Sequence, residues 1–185
     1  MLSVIARRVA NKAIVRGAVA MGAVISIEGV AFTDLRGQLP VSNTVSYPTR
    51  PAEAIQGAVF HHTASRGQTL RSIAQYHIER RNWPGIAYHY AIGYDGHIFL
   101  LNDPTVASYH TQGYNRRTMS IVLIGNYHEK EMSEEMKKSV VLLCSYLGIE
   151  YDLQFLWMHS ETKPTACPGK YAKEFLEPIL YGPRP

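Results

Sequence analysis

The chain has 185 residues, of which 46% are hydrophobic and 18% are charged, so it can form one globular domain with a hydrophobic core and is not typical of a disordered protein. The formal net charge of +4 lies mainly in residues 1–36, where five basic side chains outnumber two acidic ones. The near-neutral remainder argues against a folded body that binds nucleic acid by charge, and two cysteines are too few for a disulfide scaffold.

The first 35 residues place basic side chains before an apolar segment, 17–27, that is rich in small residues. This order leaves three interpretations open: a secretory signal, a weak membrane anchor, and an amphipathic helix that docks on a partner or a membrane surface. No apolar run reaches the roughly 18 uninterrupted residues of an unambiguous membrane span. We predict that residues 1–38 form a tail through which the protein is exported, tethered to a membrane or docked.

Residues 36–54 contain three prolines, and their polar residues outnumber the apolar ones. This composition is typical of a linker. We therefore place the domain boundary near Leu39, with a linker over residues 39–54 and one domain over residues 55–185.

From Ile55 the chain alternates between segments typical of strands and of helices. Residues 58–60 predict a short buried strand before a His-His pair, and Thr69 is the predicted N-cap of a helix. Residues 87–92 and 98–101 flank an Asp-Gly turn and predict a β-hairpin.

The second half of the chain continues this alternation. Residues 120–124 predict another buried strand, and Ser133 caps a helix that Gly148 ends. Residues 155–158 predict a last strand, and residues 169–180 predict a closing helix. The elements together predict an α/β fold, a single domain with a central mixed β-sheet flanked by helices and preceded by the apolar, basic tail.

His159 and Cys167 lie eight positions apart in a segment that contains Pro164 and small residues, and such a segment can turn both side chains to one point. Imidazole and thiolate are ligands that Zn²⁺ takes in proteins. A third ligand must come from elsewhere, and His61, at the end of a predicted strand, is the leading candidate. Three protein ligands would leave the fourth tetrahedral position for water, as in catalytic zinc sites.

Four short motifs are spread over the predicted domain: Phe60-His61-His62-Thr63-Ala64-Ser65, Ala87-Tyr88-His89-Tyr90 with Asp95-Gly96, His110-Thr-Gln-Gly-Tyr114-Asn115, and the segment from His159 to Pro168. In this order they resemble the type 2 N-acetylmuramoyl-L-alanine amidases, which include amidase-type lysozymes of bacteriophages and animal peptidoglycan recognition proteins. The resemblance covers about residues 55–180. It implies a zinc-dependent hydrolase that cleaves the amide bond between N-acetylmuramic acid and L-alanine in bacterial peptidoglycan.

Carried over residue by residue, the resemblance makes His61, His159 and Cys167 the ligands of one zinc ion per chain. Tyr88 matches the tyrosine that family members place beside the metal. Its hydroxyl is expected to stabilise the developing oxyanion or to orient the water.

Thr165 occupies the position at which some phage enzymes have a catalytic lysine and active recognition proteins often have threonine, so the resemblance makes it a second candidate catalytic residue. His110 matches a histidine that lines the groove of phage relatives, and we expect it to bind substrate. The glutamate base of the other subgroup is absent, because Val122 stands at the matching position.

The resemblance also implies that the protein acts at the bacterial cell wall or in the periplasm, as a phage endolysin or a related bacteriolytic enzyme. Its expected partner is peptidoglycan, with membrane contact through the tail and no nucleic acid. A chain that starts near Leu39 is expected to keep its activity on isolated peptidoglycan.

Three other interpretations stay open. The first is a non-catalytic peptidoglycan-binding module of the same fold, but such recognition proteins typically lack the cysteine ligand, so Cys167 favours the enzyme. The second is a cysteine peptidase that uses Cys167 with His159, for which Cys167-Pro-Gly is a poor nucleophile setting. The third is a component of a phage tail or secretion apparatus, which would share the amidase chemistry.

Overall fold

The computed structural model describes residues 24–27 and 30–185, which form one mixed β-sheet with helices on both faces. The strands are β1 (Val24–Ile27), β2 (Val30–Asp34), β3 (Gly57–His62), β4 (Tyr90–Ile92), β5 (Ile98–Leu100), β6 (Thr118–Leu123) and β7 (Phe155–Met158). The helices are α1 (Leu70–Arg81), α2 (Glu134–Tyr151), α3 (His159–Thr162) and α4 (Lys170–Leu176), with 3₁₀ turns at Ala52–Ala54 and Glu177–Ile179.

The strand order across the sheet is β1-β2-β5-β4-β6-β3-β7. Strand β3 runs parallel to β6 and β7, and β4 runs parallel to β6, whereas β5 pairs antiparallel with β4 as the predicted hairpin. Every residue of β3 and β6 is buried, because both faces of the sheet centre are covered. The predicted single α/β domain with a mixed sheet flanked by helices is confirmed.

Two apolar clusters hold the helices against the sheet. Consecutive residues of β6 point to opposite faces, so that Ile121 joins the cluster with Leu143 of α2, and Val122 joins the cluster with Ile73 of α1. Each large apolar side chain buried in this way contributes about 1.5–3 kcal/mol to the free energy of unfolding. The centre of the sheet is therefore a rigid base for side chains at its edge.

Local signals set the helix starts more reliably than the helix ends. The predicted caps Thr69 and Ser133 are confirmed, and each hydroxyl accepts the backbone N–H of the third helical residue at 3.1 Å. The prediction that Gly148 ends α2 is wrong, because the helix continues to Tyr151, whose ring packs against the core. Asp152, with a φ of 53°, ends the helix instead.

Residues before the predicted domain boundary belong to the sheet. Strand β2 pairs in parallel with β5, and its Phe32 is only 3% exposed. Arg36 forms ion pairs with Asp34 at 2.6 Å and with Asp103 at 3.2 Å. The prediction that residues 30–38 form a tail outside the domain is therefore wrong. The pairing of β2 with β5 is a long-range contact that local composition does not reveal.

The predicted linker, residues 39–54, packs along the domain. Leu39 contacts the apolar cluster of α1, the Tyr47 hydroxyl donates to the Gly85 carbonyl at 2.8 Å, and Arg50 is 4% exposed. This segment connects β2 to β3 while held by the domain surface, so it does not act as a free spacer.

Residues 1–23 and 28–29 lie outside the described residues. Most of the segment for which the signal, anchor and docking interpretations stand falls there, so these interpretations stay predictions. In the part of the chain that the structure describes, no helix is long and apolar enough to cross a membrane.

Removing the first two strands should destabilise the protein. We expect a chain that starts at Leu39 to have a free energy of unfolding about 3–6 kcal/mol lower than one that starts at Val24, because it loses the buried side chains of Val30 and Phe32. Urea denaturation of the two chains, followed by circular dichroism, measures the difference. Equal midpoints would show that β2 contributes nothing to stability and would restore the boundary near Leu39.

Candidate metal centre

Two neighbouring parallel strands bring His61 and His159 together. The register pairs Phe60 of β3 with Met158 of β7, and each of these two residues is followed by a histidine, His61 within β3 and His159 directly after β7. The two imidazole rings have centroids 4.5 Å apart. His61 is buried and His159, the first residue of α3, is half-buried, so both rings lie at one edge of the sheet.

A compact loop returns Cys167 to the two histidines. Its Sγ lies 3.8 Å from Nδ1 of His61, and its backbone N–H donates to Oγ1 of Thr165 at 3.3 Å. Gly169 has a φ of 100°, and a Cβ there would lie 2.6 Å from the backbone carbon of Tyr127. Glycine therefore lets the loop pass this close to the strand-to-helix connection and places the sulfur at the sheet edge.

The donor atoms at this edge fit a metal ion. One ligand atom from each of His61, His159 and Cys167 lies within 4.8 Å of the others. Nε2 of His159 is buried and has no hydrogen-bond partner among the described residues, as expected of an atom whose partner is a cation. Two imidazoles and one thiolate suit Zn²⁺, and no fourth protein donor joins this group within residues 24–27 and 30–185. The three predicted ligands thus lie together, and their binding of zinc stays a prediction.

Burial sets the protonation of the three donors. Desolvation lowers the pKa of His61 well below its ordinary value, with His110 and His159 adding to the effect, and it lowers the pKa of His159 to about 4. Both imidazoles are therefore neutral near pH 7 and keep the lone pair that a metal needs. Burial also raises the pKa of the Cys167 thiol to about 11, which argues against a free thiolate nucleophile.

Tyr88 lies beside the donor group. Its ring packs on His61 with centroids 5.6 Å apart and on His77 with centroids 5.7 Å apart. Burial raises the pKa of Tyr88, and the neighbouring Cys167 raises it further, so the hydroxyl stays protonated near neutral pH. Tyr88 is therefore a hydrogen-bond donor next to the candidate metal centre.

A cleft of about 650 Å³ opens over the three donors. Tyr88 and His110 line it, and Thr165 lies outside this lining with its hydroxyl turned to the Cys167 backbone. The other lining side chains are mainly aromatic or polar, and they include Tyr76, Trp83, Tyr109, Gln112 and the basic residues Arg81 and Lys163. No carboxylate lines the cleft among the described residues, so the cleft suits an uncharged or acidic ligand with flat surfaces to stack.

His110 is joined to His61 by hydrogen bonds. Nε2 of His61 lies 3.2 Å from Oγ1 of Thr111 and 3.4 Å from Nδ1 of His110. Oγ1 of Thr111 lies 2.9 Å from Nδ1 of His110, and Nε2 of His110 lies 3.1 Å from the Thr118 carbonyl. Both nitrogens of His110 thus have protein partners, while its ring forms part of the cleft wall.

Arg50 anchors the loop that carries His110. The buried guanidinium donates to the carbonyls of Pro104 at 2.9 Å, Thr118 at 2.7 Å and Asn115. Burial lowers the pKa of Arg50 to about 10, so it remains charged at neutral pH.

Neither Arg50 nor Thr111 is among the site residues predicted from the sequence. Thr111 directly follows His110 in a quoted motif, which is a signal that could have identified it. Arg50 stands in a segment with the composition of a linker and carries no such signal.

Comparison with known proteins gives a consistent picture. A family model described as N-acetylmuramoyl-L-alanine amidase matches residues 51–170. The chain is 27% identical over 173 residues to peptidoglycan-recognition protein SC2 of Drosophila simulans, covering 86% of this chain and 91% of that protein. It is 28% identical over 129 residues to the endolysin of Escherichia phage T7, covering 65% of this chain and 85% of the endolysin.

A solved structure extends the similarity to three dimensions. The endolysin N-acetylmuramoyl-L-alanine amidase of Clostridium intestinale superposes with a TM-score of 0.67 and 27% identity, over 80% of this chain and 95% of that chain.

Proposed function

The chain belongs to the N-acetylmuramoyl-L-alanine amidase family, and from that premise we propose that it is a zinc-dependent hydrolase that cleaves the amide bond between N-acetylmuramic acid and L-alanine in bacterial peptidoglycan. It acts on the cell wall as a bacteriolytic enzyme of the endolysin kind. We also propose export or membrane contact through the part of the predicted segment 1–35 that precedes β2.

The observation that carries the proposal is the group of donor atoms beneath the cleft. His61 lies in β3, His159 directly follows β7 and Cys167 lies in a loop, and one ligand atom of each lies within 4.8 Å of the others. Three donors with an orphaned imidazole nitrogen among them support a catalytic zinc site, in which one coordination position is open to solvent.

A bound zinc ion would supply a water molecule of lowered pKa and a Lewis acid for the amide carbonyl. His61, His159 and Cys167 would hold it at the sheet edge. Tyr88, whose hydroxyl stays protonated, donates a hydrogen bond to the carbonyl oxygen of the scissile amide as negative charge develops there. Trp83 and Tyr109 form an aromatic wall that limits water and positions the glycan or the stem peptide.

The other two predicted site residues take supporting parts in the proposal. The Thr165 hydroxyl accepts the Cys167 N–H, which favours a role in orienting the cysteine loop over direct contact with substrate. His110 contributes its ring surface to the cleft wall, where a sugar or peptide could contact it.

A non-catalytic peptidoglycan-binding module is the alternative function. The chain has a cysteine at the third donor position, and this favours the enzyme. The cysteine peptidase is disfavoured by the raised pKa of the Cys167 thiol.

Digestion of isolated sacculi tests the proposal. We expect the full chain to release stem peptides with free L-alanine amino termini, detected by mass spectrometry, and a chelator to stop the release until zinc is restored. Binding to sacculi without release of peptide in the presence of zinc would contradict the amidase and support the binding module. Release of fragments cut within the stem peptide would support a peptidase.

A further inference from the structure

The hydrogen bonds behind His61 have one consistent direction. We propose that Thr111 is a positioning residue that fixes which nitrogen of His61 carries the proton, so that Nδ1 presents its lone pair to the metal. The inference deepens the proposed zinc centre and rests on it for its functional meaning. Thr111 contacts His61 and is not among the residues that line the cleft, so it acts through His61 and does not touch the substrate.

The donors and acceptors in this series of hydrogen bonds follow from its last acceptor, the Thr118 carbonyl. The Thr118 carbonyl can only accept, so Nε2 of His110, at 3.1 Å, must donate to it. A neutral imidazole has one N–H, and His110 is buried with no carboxylate among its hydrogen-bond partners in the described residues, so its Nδ1 is an acceptor. The hydroxyl of Thr111, at 2.9 Å, therefore donates to Nδ1 of His110.

His61 must then be the first donor in this series of hydrogen bonds. With its proton given to His110, Oγ1 of Thr111 accepts from Nε2 of His61 at 3.2 Å. The second neighbour of Nε2 is Nδ1 of His110 at 3.4 Å, which is also an acceptor, so both contacts require the same form of His61. His61 thus carries its proton on Nε2.

The other nitrogen of His61 faces the candidate metal centre. Nδ1 lies 3.8 Å from Sγ of Cys167, on the side where the three donors meet. A metal-bound histidine whose second nitrogen donates a hydrogen bond is a better-oriented and more basic ligand. The hydrogen bonds from His61 through Thr111 and His110 to the β6 backbone therefore keep the lone pair on Nδ1 of His61 in the metal-free protein.

The β-sheet fixes both ends of this series of hydrogen bonds. His61 lies in β3, which pairs with β6 from Gly57 to His62, and Thr118 is the first residue of β6. Arg50 donates to the same Thr118 carbonyl at 2.7 Å and so holds the acceptor in place. Because both strands are fully buried, the distance between donor and final acceptor is set by the sheet.

Replacing Thr111 tests the inference through metal affinity. We expect Thr111→Val, which keeps the shape and removes the hydroxyl, to weaken Zn²⁺ binding by on the order of 10–100-fold in a competition titration with a chromophoric chelator. Thr111→Ser should restore affinity to within about threefold, because it restores the donor and acceptor. The control is Ser108→Ala in the loop that also carries Thr111, which removes a buried hydroxyl that donates to the Ala87 carbonyl. This substitution should leave the zinc affinity unchanged.

A second readout needs no metal. Long-range ¹H–¹⁵N spectra of the metal-free full chain report the protonated nitrogen of each histidine, and we expect His61 to carry its proton on Nε2 in the wild type and in Thr111→Ser. In Thr111→Val part of the population should shift to Nδ1–H, for which the Cys167 sulfur is the neighbouring acceptor. Wild-type His61 protonated on Nδ1 overturns the inference, even if Thr111→Val fails to fold.

The titration separates this inference from the proposed function. A wild-type protein that binds no zinc contradicts the proposed zinc hydrolase. The spectra then still decide which nitrogen of His61 carries the proton and whether Thr111 determines it. Thr111→Val with wild-type zinc affinity overturns this inference alone.

Discussion

Cys167→Ser is expected to abolish both metal binding and peptidoglycan hydrolysis. The serine hydroxyl is a poor zinc ligand at neutral pH, so the donor group would shrink to the two imidazoles of His61 and His159. Loss of the metal removes several kcal/mol of transition-state stabilisation, and about 4 kcal/mol corresponds to a loss of roughly 1,000-fold in rate. Zinc content by mass spectrometry and the clearing of sacculus suspensions measure the two effects.

The second cysteine provides a matched control for that substitution. Cys144 is half-buried in α2, on the other side of the sheet from the cleft, and burial raises the pKa of its thiol to about 12. Cys144→Ser should keep one equivalent of zinc and the full rate. If Cys167→Ser retained zinc and hydrolysis, the metal centre would have to be sought elsewhere.

Tyr88→Phe is expected to keep the metal and lose most of the rate. Phenylalanine preserves the packing of the ring on His61 and His77 but removes the hydroxyl that donates to the developing oxyanion. Removal of one such donor costs about 100- to 1,000-fold in kcat. Steady-state release of stem peptide from sacculi, together with a zinc titration, separates the loss of rate from a loss of metal.

A buried tyrosine outside the cleft controls for the loss of a hydroxyl as such. The Tyr127 hydroxyl donates to the Ile124 carbonyl at 2.9 Å, so Tyr127→Phe should lower the free energy of unfolding by about 1 kcal/mol and leave kcat unchanged. Equal rates for Tyr88→Phe and the wild type would remove Tyr88 from the chemistry.

The features that were predictable from the sequence are those with local causes. A cap needs only the residues of one helical turn, and Thr69 and Ser133 begin their helices as predicted. The strands at the sheet centre are short apolar runs, and β7 has the predicted bounds. Ligand chemistry and spacing made His61 the leading candidate to join His159 and Cys167, but only the resemblance to a family assigned all three to one ion, since no periodicity places His61 beside His159.

The features that were missed depend on contacts between distant parts of the chain. Strand β2 pairs with the adjacent strand β1, but it joins the rest of the sheet only through β5, which lies far along the chain. Thr111 gains its role from a nitrogen fifty residues earlier in the chain. Gly148 shows the opposite case, because glycine ends many helices but the packing of Tyr151 against the core continues α2 past this one.

Arg50 bears on where a fusion protein that carries the proposed amidase unit should begin. The region matched by the family model begins at residue 51, one position after the guanidinium that clamps the carbonyls of the loop carrying His110. A fusion protein that joins a foreign wall-binding module at residue 51 would contain the loop that carries His110 but would lack Arg50. The transferred segment should instead begin before β2, so that it includes both this strand and Arg50.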